Sequence, residues 1–372
     1  MAGQRVIIFG NQAFSLVNFR GALMEDLRRR GHEVLALAPD FDDSLRERLA
    51  ASGIEAVSLS LSRTSVNPLK DLRDLAQLWR IMRDLKPDVV LAFTIKPVVY
   101  GTLAATLAGV TRRHVLITGL GYAFSASSSL RDRFVQGLAR TLYRVSLLAA
   151  HVVFMQNRDD VNEFVARRIV ARDKITLVNG TGVDLKEWPV VALPDTPVVF
   201  ALAARLLGEK GIREYVAAAR RVKAIHPETR FLLLGGLDTN PAAISLEEVR
   251  GWVEDGIVEW PGHVEMREWL ERTSVYVLPS YREGVPRSTQ EAMASGRPII
   301  TTDVPGCRET VIDGENGFLV PPRDVDALVR AMVHFLENPQ DIAVKGHRSR
   351  QIAEERFDVH EINARMFSAM GL

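Results

Sequence analysis

Short apolar runs, rich in β-branched residues, alternate along the whole chain with longer stretches whose apolar positions recur every three or four residues. Residues 6–9, 33–37, 56–59, 88–93, 115–118, 152–155 and 175–178 follow the first pattern and are expected to be strands. Residues 15–30 and 68–85 follow the second and suit amphipathic helices, with Gly31 standing where a helix terminus favours glycine. Strands that alternate with helices predict parallel sheets covered on both faces.

The segment from Trp188 to Pro197 holds three prolines in ten residues and reads as a linker between domains. The alternation then restarts, with strands expected at 198–202, 231–234, 257–260, 275–278, 298–301 and 317–320. From Asp324 onward the pattern is helical, ending in a helix at about 359–370. At 372 residues the chain exceeds the size at which one core usually divides. The expected architecture is α/β: two Rossmann-like, doubly wound parallel-sheet domains facing a cleft. The first spans 1–187, the linker 188–197 and the second 198–357, and a C-terminal helix at 358–372 packs back on the first domain.

Composition narrows the class. Hydrophobic residues make up 47%, charged residues 25%, and the net charge is +1, which excludes an acidic disordered chain and a polycation built for nucleic acid. The charge is uneven: +7 through Leu185 and −6 beyond it, so the first half suits an anionic lipid or a phosphorylated substrate. Cys307 is the only cysteine, which excludes an intrachain disulfide or a cysteine metal cluster and fits a reducing cytoplasm. The start, MAGQRVIIFG, runs into a strand without an export signal's charged and apolar regions, and no run of 18 apolar residues predicts a membrane span.

Chemistry concentrates in two stretches of the second half. In the first, the apolar run 275–278 leads into Pro279, Gly284 and Pro286, the last suited to the first turn of a helix. Glu283 should therefore stand at the carboxyl end of a strand and Glu291 about a turn inside the helix. Carboxyl ends of strands in open α/β sheets bind ligands, and helix starts attract anions. Two carboxylates eight positions apart across that turn suit a grip on polyol hydroxyls, with a phosphate between them. The second stretch, after the strand at 198–202, carries Arg205 and Lys210 around a turn, a placement fit to neutralise a diphosphate.

With Arg205 and Lys210, Gly262-His263, Glu283 and Glu291, and the run Gly314 to Val320, the second half resembles family 4 retaining glycosyltransferases of the GT-B fold. In the first half, the segments 93–97, 117–122 and 154–160 resemble the branch that acts on polyprenyl-diphosphate-linked sugars in bacterial capsule, exopolysaccharide or glycoprotein glycan assembly. The resemblance implies transfer of a hexose or N-acetylhexosamine from a UDP-sugar, with retention and without a metal or other cofactor. Arg205 and Lys210 would bind and stabilise the diphosphate, Glu283 the sugar hydroxyls and Glu291 the ribose. Gly284, Val285, Pro286 and Arg287 would complete the phosphate cradle, Val264 would lie near the base, and Gly10 would let the donor phosphate approach.

Lys96, at the end of the strand at 88–93, is a candidate to hold the acceptor's phosphate or a donor oxygen, and Asn18, Arg20 and Tyr122 are further acceptor-side candidates. The acidic pairs Asp42-Asp43 and Asp159-Asp160 read as helix starts rather than metal ligands. The stretch 130–148 mixes arginines with apolar residues and is a candidate for lying on the inner face of a membrane, which makes a cytoplasmic, peripherally bound enzyme the expectation. Two departures stand out from the family pattern. Gly10-Asn11-Gln12 replaces the paired glycines common in relatives, and Gly119-Leu120-Gly121 stands where many carry a histidine. The alternatives are a UDP-sugar 2-epimerase or other enzyme of the same fold, a transferase acting on a soluble acceptor, and a noncatalytic sugar-binding protein. A nicotinamide dehydrogenase fits poorly, because no strand is followed by Gly-x-Gly-x-x-Gly.

Overall fold

The computed structural model of the chain describes residues 3–61, 68–119, 130–194, 197–238, 240 and 242–372. These form two compact units, Met1–Thr181 with Val359–Leu372, and Gly182–Asp358. The first unit holds strands β1 (Arg5–Phe9), β2 (Glu33–Ala38), β3 (Glu55–Ser58), β4 (Val89–Phe93), β5 (Arg112–Ile117), β6 (Val152–Met155) and β7 (Ile175–Leu177). Between them run helices α1 (Ala13–Arg29), α2 (Asp43–Ala51), α3 (Pro68–Leu85), α4 (Thr102–Leu107), α5 (Leu130–Ala149) and α6 (Arg158–Ala166). The sheet is parallel, in the order β3-β2-β1-β4-β5-β6-β7.

The apolar runs are continuous because both faces of the sheet are covered. Val6 and Ile8 of β1 pack with Leu16, Leu23 and Leu27 of α1 on one face, while Ile7 and Phe9 pack with Leu78 and Met82 of α3 on the other. The acidic pairs act as expected. Asp42 accepts from the Leu45 N–H to cap α2, and Asp159 and Asp160 lie in the first turn of α6, whose cap is Asn157.

The second unit repeats the plan with β8 (Val199–Ala203), β9 (Arg230–Leu234), β10 (Glu259–Gly262), β11 (Val275–Leu278), β12 (Ile299–Thr302) and β13 (Gly317–Val320). Its helices are α7 (Ile212–Ile225), α8 (Leu246–Glu254), α9 (Met266–Leu270), α10 (Arg287–Ala294), α11 (Val325–Glu337) and α12 (Gln340–Arg356). This sheet is also parallel, in the order β10-β9-β8-β11-β12-β13. The chain ends in α13 (Val359–Met370), which packs on α1 in the first unit.

The break between the units falls at 181/182 rather than 187/188, and the proline-rich segment is fastened to the second unit. Val183 bonds to the Phe357 carbonyl, and Val191 to that of Ser295. The buried Arg297 guanidinium donates to the carbonyls of Leu270, Val191 and Ala192, and Arg350 donates to those of Trp188 and Ala294. Burial lowers the Arg297 pKa to about 10, which leaves it a cation near neutrality. Proline composition alone does not reveal such distant donors.

Candidate functional site

In each sheet the strand order reverses once, between β1 and β4 in the first unit and between β8 and β11 in the second. Loops diverge at such a reversal and leave a crevice at the carboxyl ends of the strands. The loop after β8 carries Arg205 and Lys210, and the loop after β11 carries Glu283 and Gly284. Two clusters far apart in sequence are therefore neighbours for a topological reason.

Lys210 Nζ lies 2.5 Å from Glu283 Oε1, and both side chains are largely buried. Lys210 pairs with Glu283 across the crevice and not with its chain neighbour Glu209. The Ser280 hydroxyl donates to the same carboxylate oxygen at 2.8 Å. Arg205 is 64% exposed and pairs with Asp238 at 3.2 Å, leaving it able to swing toward an anion. Backbone contacts set the spacing of the two loops. The Tyr281 N–H donates to the Glu209 carbonyl, and Gly211, at φ +71°, lies so close to Pro279 that a Cβ would stand 2.1 Å from its carbonyl oxygen. Gly306, at φ +80°, likewise lets the backbone of Glu283 and Gly284 come within 2.3 Å of where a Cβ would be.

Pro286 caps α10 from just outside rather than within its first turn, with Val285 buried behind it. Arg287 opens the helix, and its Nε donates to Glu291 Oε1 at 2.9 Å, one turn on. Burial raises the Glu291 pKa, the Arg287 charge and hydrogen bond oppose that rise, and the Glu265 charge adds to it. Val264 is half-buried beyond β10 and packs against the cluster of Val199, Ala201, Leu232 and Leu234. Beneath the loops, burial chiefly, with the Glu283 charge, pushes the Cys307 thiol up to about 12, so it is a packed neutral group.

In the first unit, Gly10 ends β1 against the ring of Phe93, where a Cβ would stand 2.6 Å from the ring. The missing Cβ there accommodates an aromatic ring. Arg20 is buried in α1 with its guanidinium 5.5 Å from the centre of that same ring. Asn18 accepts from Arg48 at 3.0 Å. Lys96 bonds to Asp71 Oδ1 at 3.0 Å and opens a π-helical turn, Pro97–Gly101, that runs into α4. Tyr122, Leu120 and Gly121 lie outside the described residues.

Sequence reasoning missed Ser280, Asp238, Asp71 and Cys307. Ser280 was open to discovery three residues before Glu283, whereas the others reach the loops only through the sheet. Among the described residues no cluster of three or more His, Cys, Asp or Glu is arranged to hold a metal ion.

Two family descriptions match the chain: "Glycosyl transferase 4-like domain" over residues 18–181 and "Glycosyl transferases group 1" over residues 197–338. The Campylobacter jejuni N,N'-diacetylbacillosaminyl-diphospho-undecaprenol alpha-1,3-N-acetylgalactosaminyltransferase is 27% identical over 349 residues, covering 90% of each chain. The Staphylococcus aureus capsular polysaccharide biosynthesis glycosyltransferase CapM is 23% identical and covers 96% of this chain and 94% of its own. Among solved structures, sucrose-phosphate synthase from Thermosynechococcus elongatus aligns with a TM-score of 0.81 at 20% identity, covering 98% of both chains. Anabaena HepE in complex with UDP-glucose aligns with a TM-score of 0.75 at 18% identity, covering 99% of both. With two parallel-sheet units and a matching domain on each, the chain belongs to the family 4 glycosyltransferases of the GT-B fold.

Proposed function

We propose that this enzyme transfers a hexose or N-acetylhexosamine, with retention, from a UDP-sugar to a glycan acceptor carried on a polyprenyl diphosphate, in the assembly of a bacterial surface glycan. The observation that carries the reading is the Lys210–Glu283 pair at the strand-order reversal of the second unit. A cation and a carboxylate side by side match a donor whose phosphate and sugar are adjacent. The names of relatives support each end: the Campylobacter enzyme's specifies a diphospho-undecaprenol acceptor, and the HepE complex contains UDP-glucose.

In this reading Lys210 leaves Glu283 for the donor diphosphate, Arg205 joins it from its exposed position, and Glu283 turns to the sugar hydroxyls. Glu291 takes the ribose hydroxyls, with Arg287 keeping it ionised. Gly284, Val285, Pro286 and the first N–H groups of α10 shape the phosphate cradle, and Val264 lies against the base. The bond from the anomeric carbon to the diphosphate oxygen breaks, the acceptor oxygen bonds to that carbon on the same face, and the acceptor proton passes to the departing diphosphate. The protein contributes position and charge stabilisation. The acceptor side falls to the first unit, with Asn18, Arg20, Lys96 and Tyr122 as its candidates.

No described helix is long and apolar enough to cross a membrane. The outer face of α5 exposes Leu138, Val145 and Leu148 beside Arg144, a combination suited to lying on an anionic bilayer surface. We place the enzyme peripherally on the cytoplasmic face on that basis.

Mass spectrometry of products from a UDP-sugar panel, offered polyprenyl-diphosphate-linked mono- and disaccharides, tests the proposal. Elongation of a lipid-linked acceptor supports it. Turnover of soluble acceptors alone removes the lipid carrier, and conversion of the donor without any acceptor favours an epimerase. Lys210→Ala should lower kcat about 100- to 1000-fold, by loss of charge stabilisation, with the fold retained by circular dichroism and a somewhat lower melting temperature, because Glu283 loses its partner. Near-normal transfer by that variant contradicts the assigned role.

A further inference from the structure

We infer that the strand-order reversal of the first unit grips hydroxyl groups of the acceptor sugar, and that Lys96 serves this polyol site as the partner of Asp71 instead of anchoring the acceptor's phosphate. The inference rests on the transferase reading above and specifies its acceptor half.

Asp71 and Asp74 of α3 come together there with Lys96 and Tyr100 of the π-helical turn, and Thr94 stands in the loop just before that turn. Lys96 Nζ and Asp71 Oδ1 are 3.0 Å apart, and each side chain is only 14% exposed. The π-helical turn that Lys96 opens carries Tyr100 four residues on, and its ring centre lies 5.9 Å from Lys96 Nζ. The Tyr100 hydroxyl bonds to Asp71, and burial together with Asp71 and Asp74 pushes its pKa up to about 12, so it remains a neutral donor. Asp74 follows Asp71 by three residues on α3, so the two share a face of the helix. It is 4% exposed, and its Oδ2 has no hydrogen-bond partner. Thr94, in the loop after β4, takes the strained value φ +68° and holds a buried hydroxyl that is also without a partner.

Two features distinguish a sugar site from a phosphate site. Among the described residues the Lys96 ammonium is already paired with Asp71, and Asp71 and Asp74 both bear on Tyr100, so the groups on offer are carboxylates and a phenol, which accept from and donate to sugar hydroxyls. The unfilled capacity has the right sign too. A buried carboxylate oxygen and a buried hydroxyl without partners are rare in native proteins and call for a ligand with several O–H groups, which a sugar provides. Lys96 then holds the Asp71 carboxylate in place. A β4 carboxyl end beside β1 is also where an open α/β sheet receives a ligand.

The test uses the full chain, its preferred UDP-sugar and the lipid-linked acceptor found in the panel. Two inhibitors compete with that acceptor: the methyl glycoside of the acceptor sugar, and farnesyl diphosphate. Lys96→Met and Asp71→Asn should each weaken inhibition by the glycoside about tenfold while leaving farnesyl diphosphate inhibition and the KM for donor unchanged. Melting curves verify the fold; should Asp71→Asn fail to fold, Lys96→Met decides alone. The inference is overturned if Lys96→Met weakens farnesyl diphosphate, if it leaves the glycoside unaffected, or if the glycoside does not inhibit wild type. Failure of wild type to elongate any lipid-linked acceptor would instead defeat the transferase reading, and it appears before any variant is made.

Discussion

Glu291 is a carboxylate held where burial works against its charge, with Arg287 opposing that penalty at 2.9 Å. Its pKa is raised, so protonation begins at a higher pH than for an ordinary carboxylate. Ribose hydroxyls donate best to the ionised form, and UDP affinity should therefore fall as the pH drops through the acid range, earlier than exposed carboxylates titrate. Calorimetric titration of UDP from pH 8 to 5 checks this, and Glu291→Gln should bind about tenfold more weakly at pH 8 with a flattened pH profile. An unchanged profile in the variant removes Glu291 from the ribose. At this scale the sequence was informative where side-chain type and local turn signals coincide, as at Lys210 and Glu283. It said nothing of Asp71 or Asp238, whose partners are 25 and 33 residues away and meet them only after the sheet forms. It also gave no sign that Lys96 is paired with Asp71.

The strands were legible because a parallel sheet covered on both faces needs uninterrupted apolar runs, and α13 was legible because its apolar spacing is regular. The hold on residues 188–192 was not, because it comes from the guanidinium groups of Arg297 and Arg350, more than 100 residues away from the carbonyls of that segment. Loops at the strand-order reversal depend on glycines in a way that separates two effects. Gly211 combines φ +71° with contact to the Pro279 carbonyl, whereas Gly256 has φ +67° with nothing near its would-be Cβ. Gly256→Ala should cost about 1 kcal/mol with normal transfer. Gly211→Ala adds a steric overlap that forces the Lys210 loop away from the Glu283 loop, so about 2–4 kcal/mol and most of kcat should be lost. Denaturant titrations and transfer rates on the two variants distinguish strain from displacement, and equal effects would show that the Pro279 contact does not matter.

At the scale of the whole chain, the first unit is discontinuous. It is completed by Val359–Leu372, so the chain builds one sheet, then the other, and returns to finish the first. The return is specified by polar and apolar contacts together. Asp26 of α1 is almost fully buried, bonds to His360 at 2.9 Å and to Asn363 at 2.7 Å, and also holds Arg29. Ile362, Met366, Phe367 and Met370 fill the face of the sheet that α1 covers. Removing α13 strips four buried apolar side chains from that core and takes two of the three partners of Asp26, leaving it Arg29. At about 1.5–3 kcal/mol for each apolar side chain, the loss rivals the stability of an ordinary domain. The second unit loses none of these contacts. A chain ending at residue 358 should therefore melt in two steps, with the first unit unfolding at or below ambient temperature, while residues 182–358 alone remain folded and bind UDP. Adding a synthetic 359–372 peptide should restore protection of the β1 and β4 amides in hydrogen exchange, whereas Ile362→Asp in that peptide should not. Protection of those strands in the shortened chain without peptide would mean that the first sheet is complete before the chain returns to it.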